Sequence, residues 1–177
     1  VFISNLRMKD SAELQCFQAY YRAQIEKENL SRYLSLFDDY FSNFDQFRQL
    51  YVHARVGDDD VDDLIVGGKS FEKVKLFYGQ AYETLTSSYV TLACLNNINQ
   101  GRSFDVFQSM ALAKYIKDLE KSKKSNAFSG EPCLANFSQW DDSALRNGSH
   151  HASIVRDGET VKYRSGGTGV EREITYA

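Results

Sequence analysis

A mainly α fold is predicted, a bundle of about five helices closed by a small C-terminal antiparallel β-hairpin or meander. Three observations carry that prediction. Apolar residues recur at helical spacing over most of the chain ahead of Ala152. The 177 residues include a single proline, Pro132, which suits long uninterrupted helices. Beyond Ala152 the pattern changes to short alternating stretches around glycine turns.

The elements follow in order. A first helix is expected from Asp10, because Asp10 and Glu13 have the spacing of a capping box. Leu14, Phe17, Tyr21 and Ile25 then make one apolar stripe. After a break near Asn29, a second long helix is expected over 30–56, with Tyr33, Phe37, Phe41, Phe44 and Tyr51 as an aromatic face. Segment 57–70, GDDDVDDLIVGGKS, interrupts the period. It lacks the Asp/Asn alternation and closing Glu of a calcium loop. A phosphate loop would need Gly where Asp63 stands. It therefore reads as a solvated loop, with Ser70 capping the next helix.

The third helix is expected over 71–96, on a stripe that runs through Phe71, Val74, Phe77, Tyr78, Ala81, Leu85, Tyr89 and Leu92. Gly101 marks a turn, and a fourth helix is expected over 103–123. KKSNAFSGEPC, 123–133, reads as an exposed connector. A shorter fifth helix over 137–149 should turn Phe137, Trp140 and Ala144 inward. SIVRDGETVKYR then reads as a hairpin turning on Asp157 and Gly158, and GGTG makes a second turn into VEREITY. The expected organisation is a helical domain over 1–152 and a hairpin tail over 153–177 packed on it. No internal repeat is visible.

Composition narrows the function classes. A hydrophobic content of 42% with 14% aromatics belongs to a folded chain with a real core. The formal charge of −3 gives no global basic signature, so nucleic acid would have to find a local patch. Cys16, Cys94 and Cys133 are odd in number and widely spaced, which suits neither a disulfide framework nor a metal knuckle and points to a reducing cytoplasm. Cys16 and Cys94 read as small core residues. No signal-peptide pattern and no membrane-spanning apolar run is visible. Three histidines without an HxxxH or HExxH pair argue against a zinc hydrolase, and no GxSxG is present. Neither metal nor cofactor is expected.

The most informative stretch is ALRNGSHHA, Ala144 to Ala152. It sets a permanent cation, Arg146, beside an amide, Asn147, with imidazoles at His150 and His151. Imidazole can move a proton, guanidinium can bind a phosphate, and the amide can orient either. An arginine followed at this distance by a histidine is a weak pattern by itself. Arg48 and His53 share the separation, but no Asn or Asp follows Arg48. Five residues along an unbroken helix also turn side chains well apart. Gly148 between Arg146 and His151 would permit a distortion there. His150, four residues from Arg146, shares its face in a regular helix. The plainer reading is a surface ion pair and a cationic helix end.

With that spacing, the segment resembles the Arg-x4–6-His signature of the HEPN family, in its Arg-Asn-x-x-x-His form, filled by Arg146, Asn147 and His151. The resemblance covers the motif and, more loosely, the helical region. It implies a HEPN-like bundle, a homodimer with a composite site, and a metal-independent endoribonuclease that cleaves by 2′-hydroxyl attack. Such an enzyme would act in the cytoplasm as a defence or toxin effector, with RNA as substrate and an antitoxin or larger defence complex as partner. The alternative is a non-catalytic HEPN-like module that binds RNA or nucleotide, or dimerises, within a larger defence protein. His151 or His150 would move the proton, Arg146 would hold the scissile phosphate, and Asn147 would orient one of them. Lys114, Lys117, Lys121 and Lys124, spaced three, four and three, are expected to line one face of the fourth helix as an RNA-binding track, or else to be an ordinary solvated face.

Overall fold

A computed structural model describes residues 1–57, 70–139, 141–150, 153–164 and 169–176. The solvated-loop reading of 58–69, the inward Trp140, the catalytic assignment of His151, and the first residues of the GGTG turn fall outside the described residues. Within them the protein is mainly helical and ends in a three-stranded antiparallel sheet. No described helix is long and apolar enough to cross a membrane. The chain forms two compact units, Val1–Tyr33 with Glu83–Asp141, and Leu34–Tyr82 with Asp142–Ala177.

The first unit opens with a helix that the periodicity did not announce, α1 (Phe2–Lys9), which buries Leu6. Asp10 separates it from α2 (Ser11–Gln24) and caps α2 by accepting from the Glu13 N–H at 2.9 Å. Glu13 does not close the expected capping box. Its Oε1 accepts instead from the Phe104 N–H at 2.7 Å, a tertiary contact across 91 residues. The stripe on α2 packs as expected, with Phe17 and Ile25 buried and Leu14 and Tyr21 beside them. The helix break comes at Ile25, four residues before Asn29, and α3 (Glu26–Ser42) follows.

The C-terminal half of α5 (Phe71–Asn99) supplies the centre of this core through Tyr89, Val90, Ala93, Cys94 and Ile98. Burial pushes the Cys94 thiol up to about 12, with the Asp105 carboxylate adding to it, so Cys94 is a core residue and not a nucleophile. Cys16, expected to be buried as well, is exposed.

The expected fourth helix over 103–123 is not one helix. A turn with an isolated bridge between Val106 and Ala111 leads to α6 (Leu112–Lys117) and α7 (Lys121–Lys124). Tertiary contacts override propensity at its start. Asn97 Nδ2 donates to the Phe104 carbonyl at 3.0 Å, while Glu13 takes the Phe104 N–H. The connector over 123–133 is not simply exposed either. It buries Lys124 and Phe128, and Phe128 meets Tyr89 edge to face at 5.0 Å. The short α8 (Pro132–Ala135) starts on its proline, and Phe137 is exposed, not inward.

In the second unit the expected helix over 30–56 divides at Asn43. Asn43 Nδ2 donates to the Asp39 carbonyl at 2.9 Å, an amide competing with the helix ladder, and α4 (Phe44–Val56) begins after it. Tyr40, Phe44, Phe47 and Phe77 form a ring cluster with centroids 4.9–5.9 Å apart. Phe37, Phe41 and Tyr51, on the expected aromatic face, are exposed.

The last helix, α9 (Ser143–His150), is shorter than expected because Asp142 starts it. Asp142 Oδ1 accepts from the N–H groups of Ala144 and Leu145 at 2.8 and 3.0 Å. The sheet is a meander of β1 (Ile154–Asp157), β2 (Thr160–Tyr163) and β3 (Arg172–Thr175). Asp157 pairs with Thr160, so the hairpin turns on Gly158 and Glu159, one residue later than expected. Gly158 has φ +63° and Glu159 does not share that sign, the φ pattern of a type II′ turn with Gly at its first central position.

Candidate functional site

Helix α9 carries Arg146, Asn147 and His150 within its last two turns. The helix is fastened at its start. Asp142 caps it, and Asp142 Oδ2 accepts from the Tyr163 hydroxyl at 2.7 Å and lies 3.3 Å from Arg172 Nη1. The Tyr78 hydroxyl lies 3.2 Å from the Asp142 carbonyl, which ties the same point to α5. Burial pushes the Asp142 carboxyl up. The Leu145 N–H, the Tyr163 hydroxyl, the Ala144 N–H and Arg172 together outweigh it and hold the group below its ordinary range. The Tyr163 phenol is pushed up to about 12, by burial first and then by its hydrogen bond to Asp142.

The helix is regular as far as His150. Gly148 has no positive φ and α9 continues unbroken to that residue, so the distortion that the glycine would permit is absent among the described residues. The sheet packs directly on Gly148: a Cβ at that position would lie 3.4 Å from the Cβ atoms of Ile154 and Tyr163, at the near edge of ordinary van der Waals contact. Ala144, Ile154, Val161 and Tyr163 make the small core between them.

A second glycine shapes the C-terminal end. A Cβ on Gly79 of α5 would sit 2.7 Å from His150 Nε2 and 2.8 Å from Ser149 Oγ. The bare backbone of α5 is thus the wall against which His150 rests. Ser149 is buried and its hydroxyl donates to the Arg146 carbonyl at 2.7 Å. Arg146 is half-buried, and its Nη1 donates to Asn147 Oδ1 at 2.9 Å. The amide therefore orients the guanidinium, and the guanidinium holds the amide in the matching sense. His150 is the exposed member.

A regular helix sets His150 on the Arg146 side, as four-residue spacing requires. Sequence reasoning missed the wall at Gly79 and the clamp at Asp142. A glycine amid the apolar stripe of a long helix was the only visible signal for the first. The set-aside pair, Arg48 and His53, flanks a shallow groove of about 390 Å³ along α4, so the angle between them does not by itself dismiss it.

The four lysines do not make one track. Lys114 and Lys117 are exposed on α6. Lys121 pairs with Glu83, and Lys124 is 6% exposed with its Nζ donating to the Ile116 carbonyl at 3.1 Å. The turn between α6 and α7 breaks the face that three-four-three spacing would give in one helix. Burial, and then the charge of Arg32, lowers the Lys124 ammonium below its ordinary value. Among the described residues, no group of three or more His, Cys, Asp or Glu side chains is placed to hold a metal ion. Compared with family models, curated proteins and solved structures, the chain gives no match.

Proposed function

We propose that this protein is a metal-independent endoribonuclease of the HEPN type, with α9 as its catalytic element. One observation carries the reading: a guanidinium, an amide bonded to it and an exposed imidazole share the last two turns of one clamped helix. Arg146 holds the scissile phosphate and its developing charge. An imidazole, His150 or the neighbouring His151, takes the proton from the ribose 2′-hydroxyl as its oxygen attacks phosphorus. The bond to the 5′-oxygen breaks and that oxygen receives a proton, leaving a 2′,3′-cyclic phosphate and a 5′-hydroxyl. Lys114 and Lys117 are the exposed pair of the lysines considered for RNA. A homodimer with a composite site, cytoplasmic action as a defence or toxin effector, and an antitoxin or larger complex as partner belong to the same proposal.

The half-buried, Asn147-bound Arg146 favours a second reading, a non-catalytic RNA- or nucleotide-binding or dimerisation module of a larger defence protein. One experiment separates the two. RNA is incubated with the protein in EDTA, beside Arg146→Ala, His150→Ala and His151→Ala, and the product ends are identified. Cyclic-phosphate ends are expected, with activity falling by about 10²–10⁴ when the acting imidazole is removed. RNA that is bound but not cut, by chains that melt like wild type, moves the assignment to the second reading.

A further inference from the structure

We propose that a cavity of about 500 Å³ in the first unit, bordered by the end of α5 and by α6 and α7, binds a small organic anion through Arg102. None of its residues belongs to α9, and the inference does not rest on the nuclease reading. The volume falls within the range of small-molecule sites.

Arg102 is oriented in advance. Its Nε and Nη2 both donate to Asn97 Oδ1, at 3.3 and 2.9 Å. Asn97 is 1% exposed and is itself fixed by its bond to the Phe104 carbonyl. Among the described residues no carboxylate pairs with the guanidinium. A half-buried cation held by a neutral amide keeps its charge and its remaining N–H donors for a ligand. The nearby carbonyls at the end of α5 accept from the N–H groups of Gln100, Gly101 and Arg102, and the guanidinium is bonded to the Asn97 side chain, not to them.

The cavity also has a fixed amide and an apolar wall. Asn96 is 8% exposed, and its Nδ2 donates to the Ala127 carbonyl at 2.8 Å, which fixes the sense of the amide. Phe107 stacks on the buried Tyr115 at 4.7 Å and, with Met110, offers a flat apolar side. The lining holds two cations, Arg102 and Lys123, against one carboxylate, Glu131, and Lys123 is itself paired with Glu120 at 2.8 Å, so the charge offered to a ligand is that of Arg102. Glu131 is occupied by Asn99 and by the Cys133 N–H. An anionic head on a flat body meets Arg102 and this apolar wall.

The test is a calorimetric titration of the full chain with two probes, adenosine 5′-monophosphate for a phosphate head and 4-aminobenzoate for a carboxylate head. Saturable binding of at least one is expected, and which one binds identifies the head. Arg102→Gln keeps a donor for Asn97 and removes the charge, so it should weaken binding at least about tenfold. Lys27→Ala, at an exposed cation outside the cavity, should leave it unchanged. If Arg102→Gln melts early, the wild-type affinity is measured against salt, where it must fall as ionic strength rises. The proposal is overturned if neither probe saturates at roughly millimolar concentration, if a folded Arg102→Gln binds like wild type, or if binding ignores salt.

Discussion

Two helical stretches with similar apolar periodicity end in opposite environments. In the first unit, the end of α5 buries Tyr89, Val90, Ala93, Cys94 and Ile98 almost completely. In the second unit, Phe37 and Phe41 on α3 remain 55% and 68% exposed, although their spacing is just as regular. The difference lies in what the periodicity leaves unsaid. On α5, small residues such as Ala93 and Cys94 alternate with large ones and let other elements approach closely. On α3 and α4, aromatic residues occupy more than one face. The ring cluster of Tyr40, Phe44, Phe47 and Phe77 uses one face and leaves Phe37 outside it, while Phe41 meets Tyr40 edge to face at 5.4 Å and stays mostly exposed. A stripe predicts a helix, and the number of partners decides whether the stripe becomes core.

The contrast is most sharply tested where burial is complete. Phe128→Ala removes a ring that is 1% exposed and packed edge to face on Tyr89, and should cost about 3–5 kcal/mol in denaturant unfolding. A loss under about 1 kcal/mol would mean that the connector holding Phe128 is not part of the core.

Asp142 comes next, as the clamp of the second unit. Asp142→Ala removes a helix cap and the acceptor for Tyr163, at a cost of about 2 kcal/mol. Its pH dependence has a definite sign. The folded carboxyl titrates below its unfolded value near 4, so its contribution is present above that value and is lost as pH falls through the folded one. Asp142→Asn keeps a capping oxygen and should flatten the acid limb of the stability profile. An unchanged acid limb in that variant would remove Asp142 from the account. At the alkaline end, the contribution of Tyr163 is present below about 10 and is lost as pH rises towards about 12.

The sequence displayed the class of the fold because periodicity, the scarcity of proline and the glycine turns are local signals. The cap at Asp10, the stripe on α2 and the span of α5 were legible for that reason. Breaks set by distant partners were not. The expected fourth helix fails because Glu13 and Asn97 capture the Phe104 backbone, and Glu13 lies 91 residues from it in sequence. Lys124 looked like one of four equivalent surface lysines until the turn before α7 directed it inward. At the candidate site, Arg146, Asn147 and His150 could be read as a motif. The roles of Gly148 and Gly79 depend on what approaches them from elsewhere, the sheet in one case and α9 in the other.

Gly79→Ala separates packing from chemistry. Alanine gains up to about 1 kcal/mol in helix propensity, but its methyl group must displace Ser149 Oγ and the His150 ring, which lie 2.8 and 2.7 Å from where it would stand. Both are side-chain atoms that can move, so the two effects should nearly cancel in the melting temperature. The His150 ring is moved nonetheless. If the nuclease assignment holds and His150 is the acting imidazole, cleavage should fall on the order of tenfold or more without matching loss of stability. Unchanged cleavage would assign the proton transfer to His151 or detach it from α9.

The smallest expected effect is the sharpest test of the exposed face. Phe41→Ser replaces a ring that is two-thirds exposed, so unfolding of the dilute chain should change by no more than about 0.5 kcal/mol. A loss of about 2 kcal/mol or more would show that Phe41 is packed after all, and the contrast with α5 would fail. The concentration dependence of melting adds a second reading. A stripe that a second copy covers makes the melting temperature rise with protein concentration, and Phe41→Ser should reduce that slope. A slope that the substitution leaves untouched would place any self-association on another surface, while the small stability change would still stand as the mark of a stripe that the described residues leave mostly exposed.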